Sequence, residues 1–282
     1  MSWIGGWTMK AAAFITGEEF WRGIVAVLAF LIFWEAGSRS VTWFGFAFPW
    51  ISQIPPPTAV LLEMGRLMQE PSFWQSAYMS TLRVFEGFFA AMLVGIPLGL
   101  AMAVSRTFYG ITFPVFELLR PIPPLAWVPA SIIFWPTQEL SIAFVTFLGA
   151  FFTIVINVIG GAQSIDVRYF QAARSMGSST WDIFRRIILP AVLPSIVVGA
   201  TVGVGITWAV VVAAEMISGG GSAGSMGGAA GGGLGFFIWN SYVGGSYTQI
   251  VAGMISIGIA GYISSAVLRK VGVIMTPWLS ES

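Results

Sequence analysis

The sequence contains no cysteine and no histidine in its 282 residues. Without cysteine the chain can form neither a disulfide nor a thiolate metal site. The absence of histidine excludes His-ligated haem, the HExxH zinc-protease motif and Ser–His dyads. Only scattered Glu, Asp, Lys and Ser residues remain as possible nucleophiles or bases, so an intramembrane enzyme is a remote alternative. We therefore predict a non-catalytic protein with no metal site and no cofactor.

Charged residues are also scarce: they make up 9% of the chain, whereas hydrophobic residues make up 56% and the mean hydropathy is +0.84. A soluble domain has about a quarter of its residues charged, so this composition predicts a protein that lies in lipid. The net charge of +1 gives no basic excess of the kind that binds nucleic acid. These numbers predict an all-α, polytopic membrane protein.

Six long apolar segments are predicted to cross the membrane. They are expected at residues 20–37, 80–105, from about 111, 139–159, 193–218 and 249–267. Most Lys and Arg residues fall at alternate ends of these segments, which predicts that both termini are cytoplasmic. The segment Met1–Thr16 lacks the features of a cleaved signal peptide, so the first span is expected to remain as an anchor.

Two regions are expected. Residues 1–80 would form an N-terminal anchor helix followed by an amphipathic segment at the outer interface. Residues 81–275 would form the core, with a polar, basic loop at 163–190 and a Gly-rich outer loop at 219–235. A glycine run of that kind buries too little surface to order itself, so it is predicted to be a flexible connector.

The third apolar segment contains the run LLRPIPPLAWVPA, Leu118–Ala130. Pro121, Pro123 and Pro124 cannot donate backbone hydrogen bonds, and lipid tolerates a broken helix only where protein or a water-filled cavity covers it. The sequence therefore predicts that this segment borders a translocation path.

Charged residues within the spans are further path candidates, since they normally face the bundle or water. Arg83 is expected to contribute to the path or to pair with Glu86 one turn away. Arg120 is likewise expected either to contribute to the path or to pair with Glu117. Glu215 either faces the bundle or reaches the membrane surface from the rim.

The loop at 163–190 contains the run QAARSMGSSTWDIFRRIILP, Gln171–Pro190. Gly177 is expected to end one helix, and Ser179 with Asp182 has the form of a capping box that opens a second, short helix. Apolar side chains and arginines alternate along the run. A helix–turn–helix elbow of this composition can fit the groove of a soluble partner.

The spacing of this run resembles the EAA loop of permease subunits of bacterial ABC importers. That pattern is Glu-Ala-Ala, three residues, Gly, nine residues, then Ile-x-Leu-Pro, and the only departure here is Gln171 in place of Glu. The residues that match it are Gln171, Ala172, Ala173, Gly177, Ile187, Leu189 and Pro190. The resemblance implies a type I ABC importer permease fold in which residues 163–190 are the coupling loop that docks on an ATPase subunit.

Two other stretches narrow the resemblance. The run R-P-I-P-P-L-A-W-x-P, Arg120–Pro129, is similar to the corresponding helix of nitrate, sulfonate, taurine and bicarbonate importer permeases. The run Leu234–Trp239, preceded by Gly233, is similar to the G-x-G-F-F-I-W segment of cyanobacterial-type nitrate permeases. The resemblance implies nitrate or nitrite as the substrate, with aliphatic sulfonate, taurine or bicarbonate as alternatives.

Further partners follow from the same resemblance. It implies two permease copies, either a homodimer or a pair with a related permease, in the inner membrane. Two ABC ATPase subunits would hold the coupling loops, and an extracytoplasmic substrate-binding protein would deliver the substrate. A structural anchor subunit of another complex is a remote alternative, which would need neither a broken helix nor a spaced elbow. A secondary transporter would show repeat symmetry between its halves, and none is visible.

Overall fold

A computed structural model describes residues 18–219 and 232–279, and in this part of the chain it contains helices and no strands. We label the α-helices in chain order. They are α1 Glu18–Ser38, α2 Ser40–Phe44, α3 Pro57–Leu67, α4 Pro71–Val104, α5 Arg106–Leu119, α6 Val128–Phe134, α7 Gln138–Gln163, α8 Val167–Ser175, α9 Thr180–Ile183, α10 Leu189–Gly219, α11 Gly233–Val243 and α12 Tyr247–Met275. The calls on Met1–Thr16 and on most of the Gly-rich loop lie outside the described residues.

Within those two ranges, five helical segments are long and apolar enough to cross a membrane: Trp21–Ser38, Pro71–Val104, Gln138–Gln163, Thr180–Ile217 and Tyr247–Met275. They correspond to the first, second, fourth, fifth and sixth predicted spans. The third predicted span is not one helix. It consists of α5, a break, a 3-10 turn at Pro124–Trp127 and the short α6. The prolines interrupt the hydrogen-bond ladder there, as the sequence predicted.

Two helix boundaries also differ from the sequence prediction. The second span begins at Pro71 rather than near Ser80, and its 34 residues give a helix of about 51 Å. The helix that opens after Gly177 is not a separate short element. It continues from α9 through a π-helical segment, Phe184–Ile188, into α10. Pro190 has no N–H to donate to the preceding turn, and the wider π register accommodates this loss.

The described chain divides into two compact units. One comprises residues up to Gln69 together with Gly245–Ala252. In it, Arg39 donates to Glu35 and Thr58, and Gln249 donates to Glu63 over 2.9 Å. A polar cavity of about 470 Å³ lies between the start of α3 and the Gly245–Gln249 segment.

The second unit comprises Glu70–Gly244 and residues from Gly253 onward. Its core is formed where α4, α7 and α10 pack together, with Phe88, Val145 and Val204 fully buried. Glycines allow the close approach of these helices. A Cβ on Gly87 would meet Thr146 of α7, and one on Gly203 would lie 3.3 Å from the Cβ of Ala150. This three-helix core positions the features described next.

Candidate functional site

The elbow at the end of α7 is built by local backbone chemistry. Asp166 caps α8, because its Oδ1 accepts a 2.8 Å hydrogen bond from the Arg168 amide. The side chain of Arg168 also donates to Asp166, and these hydrogen bonds hold the pKa of the Asp166 carboxyl below its ordinary value. The start of the elbow is therefore fixed by one residue pair.

Gly177 ends α8 in the left-handed conformation, with φ of 77°. The Ser178 amide donates to the Ala173 carbonyl, and the Gly177 amide donates to the Arg174 carbonyl, each over 3.0 Å. These two bonds are the Schellman pattern, which favours glycine at this position. The predicted stop at Gly177 is therefore present.

The next helix opens at Ser179, whose hydroxyl accepts from the Asp182 amide over 3.2 Å and donates to the Asp182 carboxylate. The cap predicted from the Ser179 and Asp182 spacing thus forms. Its carboxylate bonds the hydroxyl of Ser179 rather than the backbone amide that a full capping box would use.

One side of the elbow belongs to the core. Ala173 and Ile183 are buried in the main hydrophobic cluster, and Phe170, Ile187 and Leu189 pack against it. This side of α8 is therefore packed against the helices of the core. Of the other predicted residues, Gln171 and Ala172 are exposed, and Pro190 is half-buried.

The opposite side of the elbow presents large apolar side chains to the outside. Tyr169 is 64% exposed, Met176 78% and Trp181 66%, and the Trp181 ring stacks on Phe184. Exposed arginines surround them: Arg168, Arg174, Arg185 and Arg186. An exposed apolar patch rimmed by charge is typical of a protein interaction site. We call Tyr169, Met176 and Trp181 the elbow knobs.

At the other end of the bundle, polar and charged residues of three helices form an ion cluster around the buried Arg83 and Glu215. Its members are Ser80 and Arg83 of α4, the exposed Glu139 of α7, and Glu215 of α10. Arg83 donates from Nη1 to Glu215 over 2.9 Å, and from Nε and Nη2 to Glu139 over 2.8 and 2.5 Å. The side chains of Arg83 and Glu215 are 3% and 0% exposed. Buried charges need partners of this kind, since desolvation is costly.

The ion cluster also holds the chain where it returns after the Gly-rich segment. The Leu234 amide donates to Ser80, the Gly235 amide donates to Glu215, and the Gly232 carbonyl accepts from Arg83. A Cβ on Gly233, whose φ is 78°, would collide with the Glu215 carboxylate. Residues 232–235 are thus ordered by these bonds, and the expectation of a flexible connector is wrong at this end.

The contacts in the ion cluster decide between the alternatives that the sequence left open for Glu215 and Arg83. Glu215 faces the bundle and not the membrane rim. Arg83 pairs with Glu139 and Glu215 rather than with the exposed Glu86. Glu139 was not anticipated as a functional residue. Its position in the first turn of an apolar helix was the available signal, because a carboxylate there needs water or a cation.

The proline break lies beside the middle of α7. Arg120 and Pro124 line a cavity of about 220 Å³ together with Leu148, Gly149, Phe152, Thr153, Ile156 and Ile206. Leu148 is ten residues from the start of α7 at Gln138, about 15 Å along a helix of roughly 39 Å, which places Arg120 near mid-depth. Pro121 and Pro123 are exposed. The structure brings Arg120 and Pro124 together, and separately Arg83 and Glu215.

Arg120 is exposed, and it makes no ion pair with Glu117 or with any other acid in the described ranges. Within the described part of the chain, the indole N–H of Trp127, in the same break, is buried without an acceptor. Two donors therefore lack a fixed partner where the helix is interrupted. This combination is unusual at mid-depth in a membrane bundle, where polar groups are normally paired.

Solved structures and curated relatives resemble this chain. The structure aligns with a chain of the methionine ABC transporter MetNI in its inward-facing conformation, with a TM-score of 0.59, 22% identity, and coverage of 74% of this chain and 99% of the other. This likeness shows the type I ABC importer permease fold. The nitrate import permease protein NrtB of Synechocystis is 32% identical over 89% of this chain and 87% of its own length. The taurine transport system permease protein TauC of Escherichia coli is 33% identical over 81% of both chains.

A family model described as the binding-protein-dependent transport system inner membrane component matches residues 95–280. This chain belongs to that family, and it is a multi-pass membrane protein. The resemblance read from Gln171–Pro190 and Arg120–Pro129 is therefore confirmed at the level of the family.

Proposed function

We propose that this chain is the membrane-spanning permease subunit of an ATP-driven importer for a small oxyanion, with nitrate or nitrite as the substrate. The observation that carries the proposal is the position of Arg120. An exposed guanidinium near mid-depth, without an ion pair in the described residues, is costly against lipid and favourable beside water and an anion. It lies at the helix break, where backbone groups freed by Pro121, Pro123 and Pro124 add polar character to the wall.

The energy comes from other subunits in this proposal, since the sequence contains no phosphate-binding loop. ABC ATPase subunits bind the elbow knobs and the arginines around them, and ATP-driven closure moves α8. Because Ala173 and Ile183 belong to the core, that movement changes the arrangement of α4, α7 and α10. Each ligand shifts the equilibrium only through its different affinity for the inward and outward states.

The elbow faces the cytoplasm in this proposal, and both termini are cytoplasmic. A substrate-binding protein supplies the anion at the other face of the membrane. A second permease copy, identical or related, completes the path.

Nitrate is favoured by the Gly233–Trp239 stretch, which resembles nitrate permeases, and by the similarity to NrtB. Taurine, an aliphatic sulfonate or bicarbonate is the alternative, supported by the similarity to TauC and by the general ability of an arginine to bind planar or tetrahedral oxyanions.

Uptake of labelled nitrate in cells with and without this chain tests the proposal, with nitrite, taurine, bicarbonate and an alkanesulfonate as competitors. We expect nitrate uptake to depend on the chain and only nitrite to compete. Loss of sulfonate-dependent growth with intact nitrate uptake would support the permease role with the alternative substrate. Normal uptake of all these compounds without the chain would contradict the proposal.

A further inference from the structure

The two edges of the Arg83 guanidinium lie in different environments. The Nη1 atom faces inward, where Glu215 and the Gly232 carbonyl accept from it over 2.9 and 3.2 Å. The edge formed by Nε and Nη2 faces Glu139, whose side chain is 57% exposed. We call this the outer edge of Arg83.

The two carboxylates that bind Arg83 also differ in the number of other hydrogen bonds that they accept. Glu215 also receives hydrogen bonds from Ser80 and from the Gly235 amide, and its side chain is fully buried. Arg83 provides the only hydrogen bonds to the Glu139 carboxylate in the described part of the chain. Glu215 is therefore fixed by several groups, whereas a rotation of the Glu139 side chain breaks only its own hydrogen bonds to Arg83.

The outer edge presents two parallel N–H donors, a geometry that matches two oxygens of a planar anion. The Glu139 carboxylate fills this position now, and it carries the same single charge as nitrate or bicarbonate. Replacing the carboxylate by such an anion leaves the charge around Arg83 unchanged, so the buried pair with Glu215 stays compensated. The exchange therefore avoids the penalty of an uncompensated buried charge.

The ion cluster lies at the end of the bundle where an anion would enter. Glu139 is in the first turn of α7, and the last turn of α7 leads into the coupling loop at the opposite end. Arg83 is separated from Arg106, at the start of α5, by 23 residues, about 34 Å of helix. That length is close to the thickness of the apolar core of a bilayer.

We infer that the outer edge of Arg83 is an oxyanion site occupied by Glu139 as an exchangeable counter-ion, and that a planar monovalent oxyanion displaces Glu139 as it enters the bundle. This inference rests on the proposed function, because it takes an anion as the substrate. It adds a second anion position, distinct from the one at Arg120 and at the end of the bundle away from the coupling loop.

Titration of nitrate, bicarbonate and taurine into the full chain in lipid nanodiscs, followed by calorimetry at constant ionic strength, tests this inference. Removing the competing carboxylate in Glu139→Gln should lower the Kd of a planar anion by roughly two- to fivefold, the scale of one partly exposed charge pair. Glu86→Gln is the matched control, since it removes the same charge one turn from Arg83 without touching it, and it should leave the Kd unchanged. Adding Arg83→Lys to Glu139→Gln should abolish the gain, because lysine has no two-donor edge.

Equal affinities in Glu139→Gln and Glu86→Gln would overturn the inference, as would the absence of anion binding to Glu139→Gln. Cellular uptake by the wild-type chain distinguishes this failure from failure of the proposed function. If nitrate uptake depends on the chain while Glu139→Gln binds no better, only the exchange site is wrong. If Glu139→Gln binds bicarbonate more tightly but nitrate uptake is independent of the chain, the site stands and the proposed substrate is wrong.

Discussion

Arg83 and Glu215 are 132 residues apart in sequence, and they form a 2.9 Å ion pair between α4 and α10 that is almost completely buried. The same carboxylate accepts the Gly235 amide, so a single side chain links two long helices and the start of α11. The stretch after the Gly-rich segment therefore depends on this ion pair for its position.

Breaking the Arg83–Glu215 pair should be strongly destabilising. Glu215→Gln leaves the buried guanidinium of Arg83 with one charged partner. Breaking a buried ion pair in this way lowers the free energy of unfolding by about 3–5 kcal/mol. Thermal unfolding of the purified chain in detergent measures the loss. Glu86→Gln should unfold like the wild type, and replacing both residues together, Arg83→Met with Glu215→Leu, should recover part of the loss. A Glu215→Gln protein as stable as Glu86→Gln would contradict the structural role of the pair.

Gly233→Ala should also destabilise the chain, for two reasons that a control separates. Its φ of 78° strains any residue with a Cβ, and that Cβ would collide with the Glu215 carboxylate. Gly245 has a similar φ of 71° with open space around it, so Gly245→Ala measures the backbone strain alone, about 1 kcal/mol. We expect a clearly larger drop in melting temperature for Gly233→Ala. Equal drops would show that the Glu215 contact is unimportant.

Gly177→Val should uncouple ATP hydrolysis from transport while the protein still inserts into the membrane. The turn needs the left-handed backbone, which a β-branched residue strongly disfavours, and no neighbouring atom would block the side chain. Gly177→Asn should retain most coupling, because Asn tolerates this conformation. Gly160→Ala, at a helical glycine with open space around it, is the control for a change in size. Substrate-stimulated hydrolysis at the wild-type level in Gly177→Val would rule out this role for the turn.

The elbow knobs should contribute to ATPase binding without contributing to stability. Met176→Ala and Trp181→Ala remove exposed apolar surface, so the melting temperature should change little, while recovery of the ATPase subunit on co-purification should fall severalfold. Ala173→Asp differs, because Ala173 is buried in the core, and it should destabilise the chain itself. Full recovery of the ATPase with Met176→Ala and Trp181→Ala combined would place the interface elsewhere.

The elbow could be predicted from sequence because its signals are local. Gly177, Ser179 and Asp182 act within a few residues of one another, and the backbone follows the caps they form. The proline break could be predicted for the same reason, since Pro121, Pro123 and Pro124 lose their donors whatever surrounds them.

The ion cluster could be predicted only in part, because it depends on pairings between distant segments. Arg83 and Glu215 stand out as charges in apolar helices, but their partnership is set by the packing of α4 on α10. Glu139 looks like a helix boundary in sequence. The fifth span was placed too late, at Leu193, because the arginines at 185 and 186 suggested a loop, whereas the helix continues through them as a π segment.

The central claim is that the proline break beside Arg120 lines an aqueous anion path, and the absence of cysteine from the natural sequence allows a direct measurement. Single substitutions Ile122→Cys and Leu125→Cys are treated, in membranes that contain the assembled transporter, with an anionic, membrane-impermeant thiosulfonate. Phe30→Cys, exposed in the middle of α1, is the reference for a lipid-facing position. We predict rapid modification at both break positions, slowed by nitrate, and little at Phe30→Cys. Modification at the break no faster than at Phe30→Cys, and unaffected by nitrate, would contradict the claim.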